Sequence, residues 1–339
     1  MKIAIVGITG YSGIELLRLL DTHPHVEING LYAFSSAGNE LSEHYPHLLG
    51  KYQNQIELFD ADKIMKESDA VFFATPSGVS KDQSVPFIEA DFPVIDLSGD
   101  LRLNEEDYKK WYGKDPAPQA ILDKAQYSLA DLDEVTGKAV SNPGCFATAT
   151  LLGLAPLVQK GLIKPDTITV DAKSGLSGAG KKLSETSHYS FINENMQMYR
   201  VDNHQHIPEI LNKLQTWNKD VPYIHFQTSL IPVTRGIMVT TFAKCDASTE
   251  QVEAAYNEVY KDAQFVRVQA PGVMPSIKQV VGSNFCDIGF SVNADTHTIT
   301  VVSVIDNLVK GAAGQAIQNF NKMFGFNEAD GLNGLPTFL

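Results

Sequence analysis

The chain of 339 residues carries 40 acidic and 27 basic side chains, which leaves a formal net charge of −13. Nucleic acids and anionic membranes need a basic face to displace their counterions, so this balance disfavours both as partners. With 43% hydrophobic residues, the composition is that of a globular protein long enough for two domains. No apolar run has the length of a membrane span and the N-terminus lacks a signal-peptide pattern, so we expect a cytoplasmic protein with reduced cysteines.

Residues 1–143 alternate between strand and helix patterns. KIAIVG predicts a strand, GITGYSG a glycine-rich turn and IELLRLL a helix with one apolar face. Further strands are predicted at VEINGLYAF, DAVFFATP and FPVIDLS, separated by helical segments. This order is typical of a Rossmann-type, doubly wound α/β domain with a parallel sheet.

The glycine turn predicts a dinucleotide site, with an ordinary tight turn as the alternative. Its spacing lets backbone N–H groups approach a pyrophosphate at a helix N-terminus. An NAD site usually carries an acidic residue roughly 20 positions further on, whereas the serines Ser35 and Ser36 stand there, which favours NADP. The turn residues predicted to bind the cofactor are Gly7, Thr9, Gly10, Tyr11, Ser12 and Gly13.

After residue 143 the pattern changes to strands joined largely by turns, which predicts an α+β domain with a mostly antiparallel sheet. One marked helix begins with a capping box formed by Ser248 and Gln251. The chain ends in a helix rich in small residues, for which Gly325 is the predicted cap.

Cys145 stands at the predicted start of a helix, directly after a proline and a glycine, in SNPGCFATAT. Unpaired N–H groups and the helix dipole favour a thiolate there, so we predict a nucleophile rather than an inert buried thiol. A thiolate near a nicotinamide indicates acyl chemistry, in which a thioester or thiohemiacetal exchanges hydride with the cofactor. Cys245 and Cys286 lie within strand patterns and are predicted to be core residues.

The segment NHQHIPEI supplies the best candidates for a proton shuttle, His204 and His206. A metal site is the alternative, but no third or fourth ligand stands at ligand spacing, so we expect no bound metal. Arg102, in SGDLRL, follows a predicted strand at the sheet edge where ligands of such folds collect. It is either an ordinary surface arginine or a contact for a phosphate group, and the family resemblance given below favours the phosphate.

Seven segments together resemble those of the N-acetyl-γ-glutamyl-phosphate reductase family, in the same order and from end to end: GITGYSGIEL, DLSGDLRL, SNPGCFATAT, KSGLSGAGK, NHQHIPEI, LIPVTRGI and DNLVKGAAGQAIQN. Aspartate-semialdehyde dehydrogenases are similar in fold and in the cysteine turn, but lack this combination. Gln205 departs from the family, where an arginine is common.

The resemblance implies an NADP-binding domain over 1–143, completed by a C-terminal helix at 310–339. A catalytic and oligomerisation domain like that of glyceraldehyde-3-phosphate dehydrogenase would span 144–309, in a homodimer or homotetramer. The implied reaction is reduction of N-acetyl-L-glutamyl 5-phosphate by NADPH to the 5-semialdehyde, through a thioester on Cys145, with His204 preferred over His206 as the shuttle.

The resemblance also assigns further site residues. Those implied to contact the cofactor are Thr75, Pro76, Ser174, Gly175, Ser177 and Asn307; those implied to contact the substrate are Arg102, Asn142, Lys173 and Arg235. Arg200 is a second candidate for the substrate carboxylate. A sister enzyme acting on the one-carbon-longer aminoadipyl phosphate would share these motifs, and an NADP-binding sensor without turnover is the non-enzymatic alternative.

Overall fold

The computed structural model describes residues 1–34 and 36–338, and the chain divides into two compact units. The first consists of residues 1–143 and 312–333, and the second of 144–311 with the residues from Gly334 on. Cofactor binding by the first predicted domain, and catalysis and oligomerisation by the second, stay predictions. In the part of the chain that the structure describes, no helix combines the length and apolar character needed to cross a membrane.

The first unit is built on a parallel sheet of six strands. They are β1 (Lys2–Val6), β2 (Glu27–Tyr32), β3 (Ala70–Phe73), β4 (Val94–Asp96), β5 (Ala125–Tyr127) and β6 (Ala139–Ser141), in the order β2-β1-β3-β4-β6-β5. Its helices up to residue 143 are α1 (Tyr11–Leu20), α2 (Leu41–His44), α3 (Ala61–Glu67), α4 (Ser80–Gln83), α5 (Val85–Glu89), α6 (Glu105–Tyr112) and α7 (Gln119–Leu122). The predicted Rossmann-type sheet is confirmed.

Strand β3 shows why the strands of this sheet are continuously apolar. Successive side chains of a strand point to opposite faces. Phe73 packs against Phe87 of α5, with 5.7 Å between ring centroids, while Phe72 packs against Phe320 near the C-terminus at 5.5 Å. Both faces of the sheet are therefore covered, as a parallel sheet requires.

The second unit contains a seven-stranded mixed sheet. Its strands are β7 (Thr169–Ser174), β8 (Gln197–Tyr199), β9 (His225–Leu230), β10 (Ile237–Lys244), β11 (Val266–Val268), β12 (Cys286–Asn293) and β13 (Thr298–Ile305), in the order β11-β12-β13-β10-β7-β9-β8. Four of the six neighbouring pairs are antiparallel, as predicted. The helices are α8 (Cys145–Gln159), α9 (Tyr189–Ile192), α10 (His206–Trp217) and α11 (Thr249–Val259), the last with the predicted capping box.

Helix α8 covers one face of this sheet. The Ser303 hydroxyl of β13 donates to the Ala149 carbonyl at 2.7 Å, and the Tyr256 hydroxyl of α11 donates to the Gly153 carbonyl at 2.6 Å. The other face is partly covered by the segment 277–285, but Phe242 of β10 remains 43% exposed on it. We call this second side of the sheet the open face.

The chain ends in a helix that begins with a π-helical turn, Val309–Ala313, and continues as α12 (Gly314–Phe324). It stops at Gly325, whose φ of +69° is a left-handed conformation that glycine adopts readily, so the predicted cap is confirmed. Isolated π-helical turns are frequent at functional sites.

Candidate active site and cofactor site

Cys145 is the first residue of α8, and its N-cap residue Gly144 has an extended backbone. The thiol therefore lies where N–H groups of the first turn have no partner within the helix and the dipole favours negative charge. It is partly exposed, whereas Cys245 and Cys286 are buried. Partial exposure at a helix N-terminus is the environment of a reactive cysteine.

The backbone around Cys145 is held by Glu209, a buried residue that the sequence prediction missed. Its Oε1 accepts the Gly144 N–H at 2.7 Å, and its Oε2 lies 3.9 Å from Nε2 of His206. His206 and Glu209 are three residues apart in α10, so they share a helix face. The spacing of His206 and Glu209 could have been read from the sequence. Nothing in the residues around Glu209 indicated its contact with Gly144, which is 65 residues away.

His204 packs directly against the residue that follows the cysteine. Its ring contacts that of Phe146 edge to face, with centroids 5.4 Å apart, and the His206 ring lies 4.7 Å from it. Burial, reinforced by the charges of His206 and Arg200, lowers the pKa of His204 to about 2. Because its Nδ1 accepts the His206 N–H at 3.1 Å, the ring is a neutral imidazole whose proton resides on Nε2. The structure thus brings the predicted histidine pair to the cysteine turn.

Two further residues of the second unit adjoin Cys145. A Cβ on Gly311 would lie 2.7 Å from the Cβ of Cys145, so only glycine fits there. Burial and, next, the charge of Cys145 raise the pKa of Tyr199. Neither residue was singled out from the sequence.

The predicted cofactor residues after β7 are bonded to one another. Nδ2 of Asn307 donates to the Ser177 hydroxyl at 2.9 Å, and its Oδ1 accepts the Gly236 N–H at 2.7 Å. A Cβ on Gly175 would lie 2.8 Å from the Val233 carbonyl oxygen, so the two turns pack closely. Asn307 thereby joins both turns, next to the buried Ser174 at the end of β7.

Two predicted substrate residues form ion pairs within the second unit. Arg235 contacts the fully buried Asp306 through Nε at 3.0 Å and Nη2 at 3.1 Å. Lys173 pairs with Asp171, and strand alternation places both on the open face of the sheet, away from α8. The structure therefore does not bring Lys173 to the group formed by Cys145, His204, His206 and Glu209, which we call the cysteine cluster.

The glycine turn of the first unit forms a tight cradle. Gly7 has a φ of +91°, and a Cβ there would lie 2.5 Å from the Ala74 carbonyl oxygen. A Cβ on Gly13 would lie 2.3 Å from the Gly7 oxygen. These contacts bring the start of α1 and the end of β3 against the turn, which suits a dinucleotide pyrophosphate.

Other predicted cofactor residues border this cradle. The Thr9 carbonyl accepts the Tyr45 hydroxyl at 3.0 Å, while Gly10 is the N-cap of α1, followed by Tyr11 and Ser12. Thr75 and Pro76 follow β3. Ser36 is buried, and Ser35 lies outside the described residues.

Arg102 and Asn142 are both held by main-chain groups of the first unit. Arg102 donates from Nε to the Asn142 carbonyl at 2.9 Å and from Nη2 to the Leu97 carbonyl at 2.8 Å. Asn142 donates to the Ala312 carbonyl at 3.2 Å and accepts from Asn319 at 3.1 Å. The charge of Arg102 is thus fixed at the carboxyl edge of the sheet. Within the described ranges, no three His, Cys, Asp or Glu side chains form a group that could hold a metal ion.

Comparisons with known proteins agree with this geometry. Residues 2–143 match the family model described as semialdehyde dehydrogenase, NAD binding domain, and residues 145–307 match semialdehyde dehydrogenase, dimerisation domain. A dinucleotide-type sheet followed by a cysteine at the start of a helix thus defines a protein of the semialdehyde dehydrogenase class.

The similar curated proteins are more specific. The chain is 52% identical to N-acetyl-gamma-glutamyl-phosphate reductase of Listeria innocua and 51% identical to that of Streptococcus thermophilus, in each case over 100% of both chains. The chain belongs to the N-acetyl-gamma-glutamyl-phosphate reductase family.

Solved structures show the same fold at lower identity. Aspartate semialdehyde dehydrogenase II from Vibrio cholerae matches with a TM-score of 0.71 and 16% identity, covering 96% of this chain and 98% of that one. Aspartate semialdehyde dehydrogenase with NADP from Candida albicans matches with a TM-score of 0.71, 17% identity and the same coverage. The predicted similarity in fold to this class is confirmed.

Proposed function

We propose that the chain reduces N-acetyl-L-glutamyl 5-phosphate to N-acetyl-L-glutamate 5-semialdehyde and phosphate, with NADPH as reductant, in arginine biosynthesis. The observation that carries this function is Cys145 at the start of α8, with the histidine pair packed against the next residue, Phe146, and the Gly144 N–H bound by Glu209. The names of the full-length relatives support the substrate.

Cys145 is the nucleophile in this scheme. Its thiolate attacks the acyl carbon, a carbon–sulfur bond forms, and the bond to the phosphate oxygen breaks, so that phosphate leaves and a thioester remains. Arg102 is the predicted cation for that phosphate, and Arg235 the predicted contact for the substrate carboxylate. NADPH, when bound, supplies the hydride that reduces the thioester carbonyl.

His204 stabilises the oxyanion that hydride addition creates. A neutral imidazole with its proton on Nε2 donates a hydrogen bond to the developing charge, and collapse of the thiohemiacetal then releases aldehyde and returns the thiolate. Glu209 is a positioning residue, because it holds the Gly144 N–H and faces His206. In this scheme the side chains act around one sulfur, as an acyl-transfer site requires.

The residues of the first unit fit NADP. Gly7 and Gly13 leave no room for a Cβ, so the turn packs closely against the end of β3 and the start of α1. The Thr75 hydroxyl beside it is buried without a hydrogen-bond partner among the described residues. Gly7, Thr9, Gly10, Tyr11, Ser12, Gly13, Thr75 and Pro76 would hold the cofactor in this unit. Ser174, Gly175, Ser177 and Asn307 stay predicted cofactor contacts of the second unit.

The assay is run in reverse, following NADPH formation from N-acetylglutamate semialdehyde, NADP and phosphate. Cys145→Ala should lose at least about 10⁴-fold in kcat, since no other nucleophile replaces the thiolate. Cys245→Ala, which removes a buried thiol outside the cluster, is the matched control and should keep the wild-type rate. A Cys145→Ala variant at full rate would exclude the covalent route, and a wild type without phosphate-dependent turnover would exclude the function.

The open face of the second sheet is the proposed contact between two copies of this chain, in a homodimer or homotetramer. It carries the exposed Phe242 and Met198, and the matching family model is described as a dimerisation domain. Phe242→Asp should shift the sedimenting species to a smaller mass, while Leu183→Asp, at an exposed leucine outside the sheet, should not. An unchanged mass for Phe242→Asp would exclude this face.

A reducing compartment suits this chemistry, because an oxidised Cys145 could not attack the substrate. All three cysteines are free thiols. We therefore propose that the enzyme acts in the cytoplasm, and addition of diamide to the assay should stop turnover until a thiol reductant is added.

A further inference from the structure

Asp100 is a fully buried carboxylate in the turn after β4, and it binds donors from separate segments. The Gly78 N–H lies 2.7 Å from Oδ1 and 2.8 Å from Oδ2, and the Lys81 N–H lies 3.1 Å from Oδ2. The Tyr108 hydroxyl of α6 donates to Oδ1 at 2.6 Å. Because each of these partners donates, the position needs a side chain that only accepts, which is an ionised carboxylate.

A second acid extends this cluster. The Ser80 hydroxyl lies 2.6 Å from that of Ser98, 3.1 Å from Oδ2 of Asp96 and 3.2 Å from Oδ2 of Asp100. Burial, and next the charge of Asp100, raise the pKa of Asp96 to about 6.

Asp100 holds the loop 75–81, which forms one wall of the predicted dinucleotide site. We call the space between this loop and the glycine turn of residues 7–13 the crevice. Strand β1 lies between β2 and β3, so the connections after β1 and β3 diverge at this point of the sheet, where ligands of such folds bind. A Cβ on Gly7 would approach Ala74 to 2.5 Å and the Thr75 nitrogen to 3.2 Å. The loop after β3 therefore lies directly against the glycine turn.

The conformation of this loop needs a restraint. Gly78 has a φ of +93°, a left-handed backbone conformation, and α4 begins two residues later with only one turn of helix. The carboxylate of Asp100 binds N–H groups on both sides of that helix start, at Gly78 and Lys81. A loop without this restraint would have to be ordered by the ligand, which weakens binding.

We propose that Asp100 is a positioning residue for the cofactor: it fixes the loop 75–81 as the wall of the crevice opposite the glycine turn, without touching the nucleotide itself. The proposal rests on the proposed function, since it takes NADP as the ligand of the crevice. The hydroxyls of Tyr108 and Ser80 donate to this carboxylate and belong to the same restraint on the loop.

The first test is Asp100→Asn in the full-length protein. The amide keeps the size of the side chain but directs an NH₂ group at donors, so the loop should lose its restraint. The dissociation constant of NADPH, measured by fluorescence quenching, should rise about ten-fold or more, with a parallel rise in the KM for the nucleotide. The KM for the acyl phosphate should change less, because the cysteine cluster is left intact and Arg102 keeps its bonds to the Asn142 and Leu97 carbonyls.

Tyr108→Phe tests the same restraint on the loop with a milder change. If Asp100→Asn does not fold, this variant decides whether the restraint sets the affinity for NADPH. Tyr256→Phe is the matched control, since it also removes one hydroxyl of a fully buried tyrosine, hydrogen-bonded at 2.6 Å to Gly153. The two variants should lose similar thermal stability, but only Tyr108→Phe should weaken NADPH binding.

Equal NADPH affinity in Tyr108→Phe, Tyr256→Phe and wild type would overturn the proposal, as would wild-type affinity in Asp100→Asn. If the wild-type chain turns over with NADPH and these variants bind NADPH normally, the role of Asp100 is overturned but the proposed function is left intact. A wild-type chain that binds no NADPH removes the proposed function first, and this inference with it.

Discussion

The crevice of the first unit and the cysteine cluster of the second are built in different ways. The crevice is formed by two short loops that pack closely through glycines, with a carboxylate holding one loop from behind. The cysteine cluster consists of side chains from several elements, including Cys145, His204 and Glu209. A ligand recognised through backbone needs the correct chain path, whereas bond-making at sulfur needs particular side chains. Mutations should therefore affect binding in the first region and chemistry in the second.

The largest effect that separates chemistry in the second unit from binding in the first is expected at His204. His204→Asn should lower kcat roughly 10²- to 10³-fold, as loss of one oxyanion donor does, and leave NADPH affinity unchanged. His206→Asn should cost less, because His204 keeps its own Nε2 proton. His225→Asn, at an exposed histidine of β9, is the control and should behave as wild type.

The pH dependence of the same variants tests the assigned role. Because burial lowers the pKa of His204 to about 2, its ring is neutral at every pH from 6 to 9, and its ionisation contributes no limb to the kcat profile there. His204→Asn should thus lower the whole profile without changing its shape. Loss of a limb near pH 6 to 7 in this variant would show that His204 itself ionises in that range, which would exclude the neutral donor. Equal rates in His204→Asn and wild type would assign the role to another residue.

A smaller effect, on stability as well as on binding, is expected at Arg235. Arg235→Met leaves the buried carboxylate of Asp306 without its cation, which should cost about 2–3 kcal/mol of unfolding free energy, since the arginine is itself partly exposed. If Arg235 also binds the substrate carboxylate, the KM for the acyl phosphate should rise as well. Urea unfolding and steady-state kinetics measure the two effects separately.

Arg267→Met is the control for that experiment. Arg267 forms a similar two-contact pair with Asp287, another buried aspartate of the second unit, at 2.6 and 2.9 Å. Both variants should lose stability, but only Arg235→Met should raise the substrate KM. Equal KM values in the two variants would make Arg235 a structural residue and leave the carboxylate to Arg200.

Local patterns sufficed for the fold and for the position of Cys145. The glycine spacing, the strand and helix periods and the Pro-Gly-Cys entry to α8 are all contained in short stretches of chain. The alternation in TVDAKS also places Lys173 on the side of the strand opposite Ala172 and Ser174, which was readable from sequence. Its contact with the substrate, which the family motif implies, stays a prediction.

The carboxylates were missed because their partners are remote in sequence. In SGDLRL attention falls on Arg102, since a cation suits a phosphate, yet Asp100 binds donors at Gly78 and Tyr108 in other segments. Glu209 likewise accepts an N–H 65 residues away. A side chain whose role is to hold backbone shows no chemical signature in its own neighbourhood.

The smallest expected effect concerns Asp96, the second buried carboxylate behind the crevice. Its variant tests whether a negative charge at this position stabilises or destabilises the fold. Its pKa is about 6 in the folded protein against an ordinary value of 3.8, because the site is buried and adjoins Asp100. The folded state thus binds the proton more tightly than the unfolded state. The stability from this group is present in full below pH 3.8 and is lost as the pH rises to about 6, by up to about 3 kcal/mol.

Asp96→Asn should remove that loss, because an amide does not ionise. Relative to wild type, the variant should gain about 2 kcal/mol of unfolding free energy between pH 4.5 and pH 7.5, measured by urea unfolding at both values. Asp295→Asn, at an exposed turn of the second unit, controls for removal of one carboxylate. A difference between variant and wild type that is the same at both pH values would show that Asp96 is ionised throughout. In that case Asp96 would accept the serine hydroxyls as a carboxylate at pH 4.5 as well as at pH 7.5.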